Sequence, residues 1–124
     1  MSHFARDLSQ AITAGRPFNC LITDDSELQR LNRTFLKNDY PTDVLSFANG
    51  DALGEIAISA ERAAAQAQSF GHSLLDEIRI LMLHGLLHLS GMDHEKDRGE
   101  MARAEAHCRG KFGLPQTLIA RTVA

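Results

Sequence analysis

With 124 residues, a formal net charge of −3, 44% apolar and 23% charged residues, the chain suits a single domain over 1–124 that can bury a core without disulfide or metal staples. The weak acidity advertises no nucleic-acid surface, so such a contact needs a local basic patch. No apolar run reaches the length of a bilayer span, and the opening Met1-Ser2-His3-Phe4-Ala5-Arg6-Asp7 lacks the basic-then-apolar order of a signal peptide, so a cytoplasmic location is expected. Cys20 and Cys108 lie far apart and outside any Cys-x-x-Cys pair, and both read as small core residues.

Phe4, Leu8, Ala11 and Ile12 recur at helical spacing until Gly15-Arg16-Pro17 breaks the pattern, which predicts an amphipathic first helix. Phe18 to Thr23 alternates, with Cys20 and Ile22 on one face of a strand. Asp24-Asp25-Ser26 then caps a second helix that packs through Leu28, Leu31 and Phe35. Pro41-Thr42 stops the helical pattern. Val44 to Phe47 and Leu53 to Ser59 are β-prone, and Asn49-Gly50-Asp51 between them has turn chemistry. Ser59 opens an alanine-rich third helix, suited to close packing on a sheet and ended by Gly71.

Ser73 with Asp76 resembles a capping box for a fourth helix, which from Ile78 to Leu89 is apolar on nearly every side and so must be central. Asp97 and Glu100 start a fifth helix with Met101, Ala104, Cys108 and Phe112 facing inward, and Leu114 to Ala124 is a tail too short to be a domain. This order of elements predicts an α+β or α/β layer structure with a small mixed sheet.

The central helix carries the chemistry. In His84-Gly85-Leu86-Leu87-His88-Leu89-Ser90-Gly91-Met92-Asp93-His94, the first two histidines are four apart and share one face. Gly91 can end the helix and turn the chain so that His94 reaches the same point. Three neutral imidazoles leave the fourth position of a tetrahedral zinc open, the arrangement of a catalytic rather than a structural site. Imidazole also suits nickel, copper or iron, with zinc as the first expectation. Metzincin proteases share this spacing but place a glutamate directly after the first histidine as general base, and this chain has Gly85 there. Asp93 is the candidate catalytic residue nearest in sequence, with turn stabilisation as its structural alternative. His3, His72 and His107 read as solvent-facing or helix-end residues rather than ligands, with His107 also able to face the site.

The order of Pro41-Thr42-Asp43-Val44-Leu45-Ser46-Phe47, Gly54-Glu55-Ile56-Ala57-Ile58 and the histidine run ending in Asp93-His94 resembles the YbeY family of bacterial ribosomal-RNA maturation endoribonucleases. Asn32, Met101 and Glu105 also fall in family-like places, so the resemblance runs from about Leu21 to Phe112. It implies one zinc ion on His84, His88 and His94. It also implies a small mixed four-stranded sheet packed with about five helices around a zincin-like central helix. The implied activity is a single-strand-specific endoribonuclease in small-subunit (16S) rRNA maturation and ribosome quality control. Ribosomal RNA and the ribosome or small-subunit proteins are then the expected partners, with no membrane and no DNA.

Two positions depart from the family pattern. Glu55 stands where an aspartate is usual, and Leu36 stands where members carry an arginine four residues after the asparagine that matches Asn32. An arginine near the metal would bind phosphate bidentately, which leucine cannot do. Arg33 and Lys37 are the candidate substrate-binding replacements, within a groove that would draw on Arg30, Arg33, Lys37 and Arg62. The general base stays open among Asp93, Asp43 and Glu55. Two other functions keep the metal site: a non-catalytic metal-binding ribosome-assembly factor, and a metallopeptidase, which Gly85 opposes.

Overall fold

The computed structural model describes residues 2–39, 42–49, 52–93 and 96–119. The chain opens with α1 (Ser2–Thr13), whose Phe4 and Leu8 are buried; Ala14 and Gly15, both at positive φ, end it. β1 (Asn19–Thr23) follows. Then comes α2 (Asp25–Leu36), where the backbone N–H of Glu27 donates to the Asp24 side chain at 2.8 Å as the sequence reading anticipates. β2 (Val44–Asn49) and β3 (Ala52–Ser59) form an antiparallel pair; the turn read at Asn49-Gly50-Asp51 falls largely outside the described residues.

α3 (Ala60–Phe70) starts at Ser59, whose Oγ accepts the Arg62 N–H at 3.2 Å, and ends at Gly71. α4 (Leu74–Leu89) and α5 (Glu100–Phe112) complete the described elements. Asp97 caps α5 from outside it, its carboxylate accepting the N–H groups of Gly99 at 2.8 Å and Met101 at 2.9 Å.

The architecture is α+β, with five helices and a mixed sheet in the order β1-β3-β2. β1 runs parallel to the central β3, pairing Cys20 with Ile56 and Ile22 with Ile58, whereas β2 runs antiparallel and pairs Leu45 with Ala57. Three strands therefore stand among the described residues where four were expected. The physical reason is periodicity: the segment ahead of β1 repeats its apolar residues every three to four positions and folds as α1, leaving no further two-residue alternation to supply a strand.

Alternation in β2 and β3 divides the core. Leu45, Phe47 and Ala57 face Leu28 and Leu31 of α2, while Ile56 and Ile58 face the larger cluster built on α4 with Phe4, Leu8 and Met101. Phe35, expected to be buried, is 52% exposed and instead stacks on Phe47 with centroids 4.6 Å apart. Ile22, on the inward face of β1, stays 43% exposed because β1 is an edge strand with little beyond it. No helix among the described residues is long and apolar enough to cross a membrane.

The surface of α2 is tied to α3 through Asp25, which accepts from Arg62 Nε at 2.7 Å and from Ser59 Oγ at 3.0 Å. The hydrogen bond from Arg62 holds the Asp25 carboxyl below its ordinary 3.8. A carboxyl whose folded-state value is depressed contributes stability above the unfolded value and loses it as pH falls through the folded one. An Asp25→Asn chain is expected to melt slightly lower than the native chain at pH 7, by no more than about 4 °C because the pair is solvent-screened. The difference should disappear well below pH 4 in melting curves; a gap that persists at low pH counts against the ion pair as its origin.

Candidate metal centre

α4 begins at Ser73, whose Oγ accepts the Asp76 N–H at 3.0 Å, and is buried along most of its length. Such all-round burial leaves its two histidines few ways to satisfy their ring nitrogens. At the far end the helix stops where Gly91 turns to φ 104°. The Gly91 N–H donates to the His88 carbonyl at 3.0 Å and the Met92 N–H to the Leu87 carbonyl at 3.1 Å, a glycine-dependent closure that ends the helix just after the second histidine. His94 lies just beyond, outside the described residues, as does Glu95.

The rings of His84 and His88 converge. Their Nε2 atoms are 3.1 Å apart and the rings cross at 76°. The buried His84 donates through Nδ1 to Glu105 Oε2 at 2.6 Å, and Glu105 is itself 1% exposed. With the proton on Nδ1, Nε2 of His84 carries a lone pair and faces His88, an arrangement that a cation between the two rings satisfies. Two nitrogens at ordinary Zn–N distances on a tetrahedral ion stand about 3.3 Å apart, close to the spacing seen here. The donor chemistry of these two residues thus fits a zinc-class ion.

Both histidines open into a cleft of about 690 Å³. Its long wall is the segment Thr42–Ala48 running along β2, and Leu36, Leu89 and Leu118 close the remaining sides. The helix can approach β2 and β3 this closely because residue 85 is glycine. The Gly85 carbonyl accepts from Ser46 Oγ at 2.9 Å, and a Cβ on Gly85 would lie 2.9 Å from both Ile56 Cγ2 and Ser46 Oγ. A side chain at 85 would therefore press into the sheet, so the position that carries the metzincin base has no room for one.

Of the other residues singled out by sequence, Asp43 lines the cleft, where its carboxylate accepts from Gln66 Nε2 at 3.2 Å. Asp93 sits past the end of α4, and its carbonyl accepts the N–H groups of Lys96 and Asp97, both at 3.1 Å; neither it nor Glu55 lines the cleft. Arg33 and Lys37 are exposed at the end of α2 and outside the cleft lining, with Arg33 3.6 Å from Asp39. Arg30 pairs with Glu27 and Arg62 with Asp25. Leu36, 40% exposed, does face the cleft, so the departure from the family arginine falls on its wall.

His72 is a helix-end residue, between the caps Gly71 and Ser73, but not solvent-facing: its side chain is buried and meets the buried Glu77 at 2.7 Å, at the opposite end of α4 from the cleft. His107 is exposed. Burial pushes the Cys20 thiol up to about 11 and raises that of Cys108 as well, so neither supplies a thiolate near neutral pH.

Glu105 falls in a family-like place, but its role, like that of Leu118 and Ile119, escapes a reading by sequence. Glu105 shares the inward stripe of α5 with Met101 and Cys108, and a carboxylate on a buried stripe signals a need for donors, but the identity of the donor depends on packing. Leu118 and Ile119 belong to the tail, whose sequence carries no sign that it returns to the cleft.

The endoribonuclease YbeY family model matches residues 3–113. The endoribonuclease YbeY of Solibacter usitatus is 57% identical over 122 residues, spanning 98% of this chain and 83% of that protein. The protein of the same name from Koribacter versatilis is 52% identical over 105 residues, spanning 82% of this chain and 68% of its own length. A solution structure from Thermotoga maritima superposes with a TM-score of 0.59 at 28% identity, covering 90% of this chain and 85% of that one. Similarity of this extent, through both the strand segments and the histidine helix, shows that the chain belongs to the YbeY endoribonuclease family.

Proposed function

We propose that this chain is a zinc-dependent, single-strand-specific endoribonuclease that acts on small-subunit rRNA in its maturation and in ribosome quality control, with His84, His88 and His94 as the metal ligands. The observation that carries the reading is the pair of Nε2 atoms 3.1 Å apart at the cleft, one of them locked in orientation by Glu105. A zinc ion held by these histidines would supply Lewis-acid chemistry, polarising a phosphoryl oxygen or lowering the pKa of water toward neutrality.

The chain's own residues would do the rest. Thr42 and Ser46 offer hydroxyls along the cleft wall for a nucleic-acid strand, and Asp43 offers a carboxylate as proton acceptor there. Asp93 remains the base candidate from the loop that leads to His94, and Arg33 and Lys37 are the cations nearest to the family's arginine position. The test is cleavage of a 16S rRNA fragment against a duplex of the same sequence. We expect cuts in the single strand only, lost on chelation and restored by zinc.

Leu36 on the cleft wall, together with the engagement of Arg30, Arg33 and Arg62 by neighbouring carboxylates, favours a second reading as a ribosome-assembly factor that binds without cutting. That reading predicts association with RNA and no metal-dependent products. Leu36→Arg separates the two. An arginine there would add a charge-assisted, bidentate phosphate contact of about 1.5–3 kcal/mol, so an enzyme should gain about tenfold or more in kcat/KM on the rRNA fragment. A variant that binds more tightly and still cuts nothing supports the assembly factor.

A further inference from the structure

Glu105 is a buried carboxylate with two partners from distant parts of the chain. Oε2 accepts from Nδ1 of His84, 21 residues earlier, and Oε1 accepts the backbone N–H of Ile119, 14 residues later, at 3.1 Å. A charge this deep is tolerated only when both oxygens are satisfied. Met101 and Cys108, buried about one turn on either side, hold its stretch of α5 against the core. The tail that reaches Oε1 is packed as well, since Leu114, Thr117 and Ile119 are buried, and the intervening Leu118 lines the cleft. One carboxylate thus connects the wall of the cleft to a ring that faces it.

We infer that Glu105 is a positioning residue that couples seating of the C-terminal segment to the orientation of His84, so that the tail, although far from the histidines in sequence, sets how well Nε2 is presented to a metal. The inference rests on the metal reading of the site. Without the Ile119 N–H, Oε1 is left buried and unpaired, the carboxylate can rotate to relieve it, and the His84 ring turns with it.

The test compares Ile119→Pro, which removes the N–H, with Ile119→Ala, which shortens the same side chain and keeps it. Zinc affinity is read by competition with a chromophoric chelator. The site of the His84 ring proton is read by ¹⁵N NMR on metal-free protein. We expect the proline variant to bind zinc about 10–100-fold more weakly than the alanine variant, the range for loss of a ligand's outer partner, and its His84 Nδ1 proton signal to weaken. Glu105→Gln provides the second variant if the proline chain does not fold. Its amide oxygen can keep the Ile119 N–H only if its NH2 faces His84 Nδ1, which moves the ring proton to Nε2 and takes the lone pair from the metal side, so the same loss is expected.

Equal affinities and unchanged His84 spectra in folded variants would overturn the coupling, as would a native His84 whose proton sits on Nε2. The NMR arm stands apart from zinc. A native chain that binds none while showing the expected His84 signal and its loss in the variants would sink the metal reading and leave the positioning role in place.

Discussion

Replacing His88 with alanine is expected to leave a folded protein that has lost its RNA cleavage and binds zinc more than about a hundredfold more weakly, beyond the usual cost of disturbing a ligand's outer partner. The imidazole is only partly buried at the cleft, and its Nε2 faces that of the more deeply buried His84. Truncation therefore removes a donor from the site while opening only a small space at its rim. The exposure contrast gives the prediction its internal control. His84→Ala removes the donor to a carboxylate 1% exposed, leaving Glu105 short of a partner in the core, and should lower the melting temperature as well as the zinc affinity. Zinc titration and thermal melts of the two variants, beside cleavage of the same rRNA fragment, check both statements. Retained zinc-dependent cleavage by a clean His88→Ala preparation would move the activity away from this cleft.

A Gly85→Glu chain, which restores the residue a metzincin carries after its first histidine, is expected not to fold. The new Cβ would sit 2.9 Å from Ile56 Cγ2 and Ser46 Oγ, at a helix-sheet contact where Ile56 is fully buried, and the carboxylate would follow it into the core. Overpacking and an unpaired buried charge together cost about 5 kcal/mol or more, comparable to the whole stability of many small domains. Gly85→Ala isolates the steric part. Its gain in helix propensity of about 1 kcal/mol opposes an overpacking cost of about 1–3 kcal/mol, so a modest net loss is expected in urea unfolding. A stable Gly85→Glu protein would mean that α4 can stand away from the sheet. If that protein also cut peptides, the argument against a peptidase would fail with it.

Metzincins share the spacing of His84 and His88 but carry a side chain where this chain has Gly85. The same pair of histidines four apart is compatible with a side chain at the intervening position only where the helix leaves space beside it. Here Ser46 and Ile56 occupy that space, and Ser46 bonds the Gly85 carbonyl itself. Among the described residues that line the cleft, Asp43 is the carboxylate on the wall.

Local chemistry was readable from the sequence alone. Ser59, Ser73 and Asp24 cap helices through side-chain oxygens within three residues, Gly71 and Gly91 end helices through their own backbone freedom, and His84 and His88 share a face because the helix repeats every 3.6 residues. These effects act between near neighbours, so composition and spacing suffice to determine them. Packing decided the rest. The exposure of Phe35 and Ile22, the burial of His72 against Glu77 and the closeness of Gly85 to β3 all depend on which faces meet after collapse. So does the bond from Ile119 to Glu105 and, through it, to His84. A hydrogen bond between residues many positions apart has no local pattern to announce it. It exists because the core brings a buried carboxylate and two donors to one point, where leaving any of them unpaired would cost more than ordering the chain that supplies the partner.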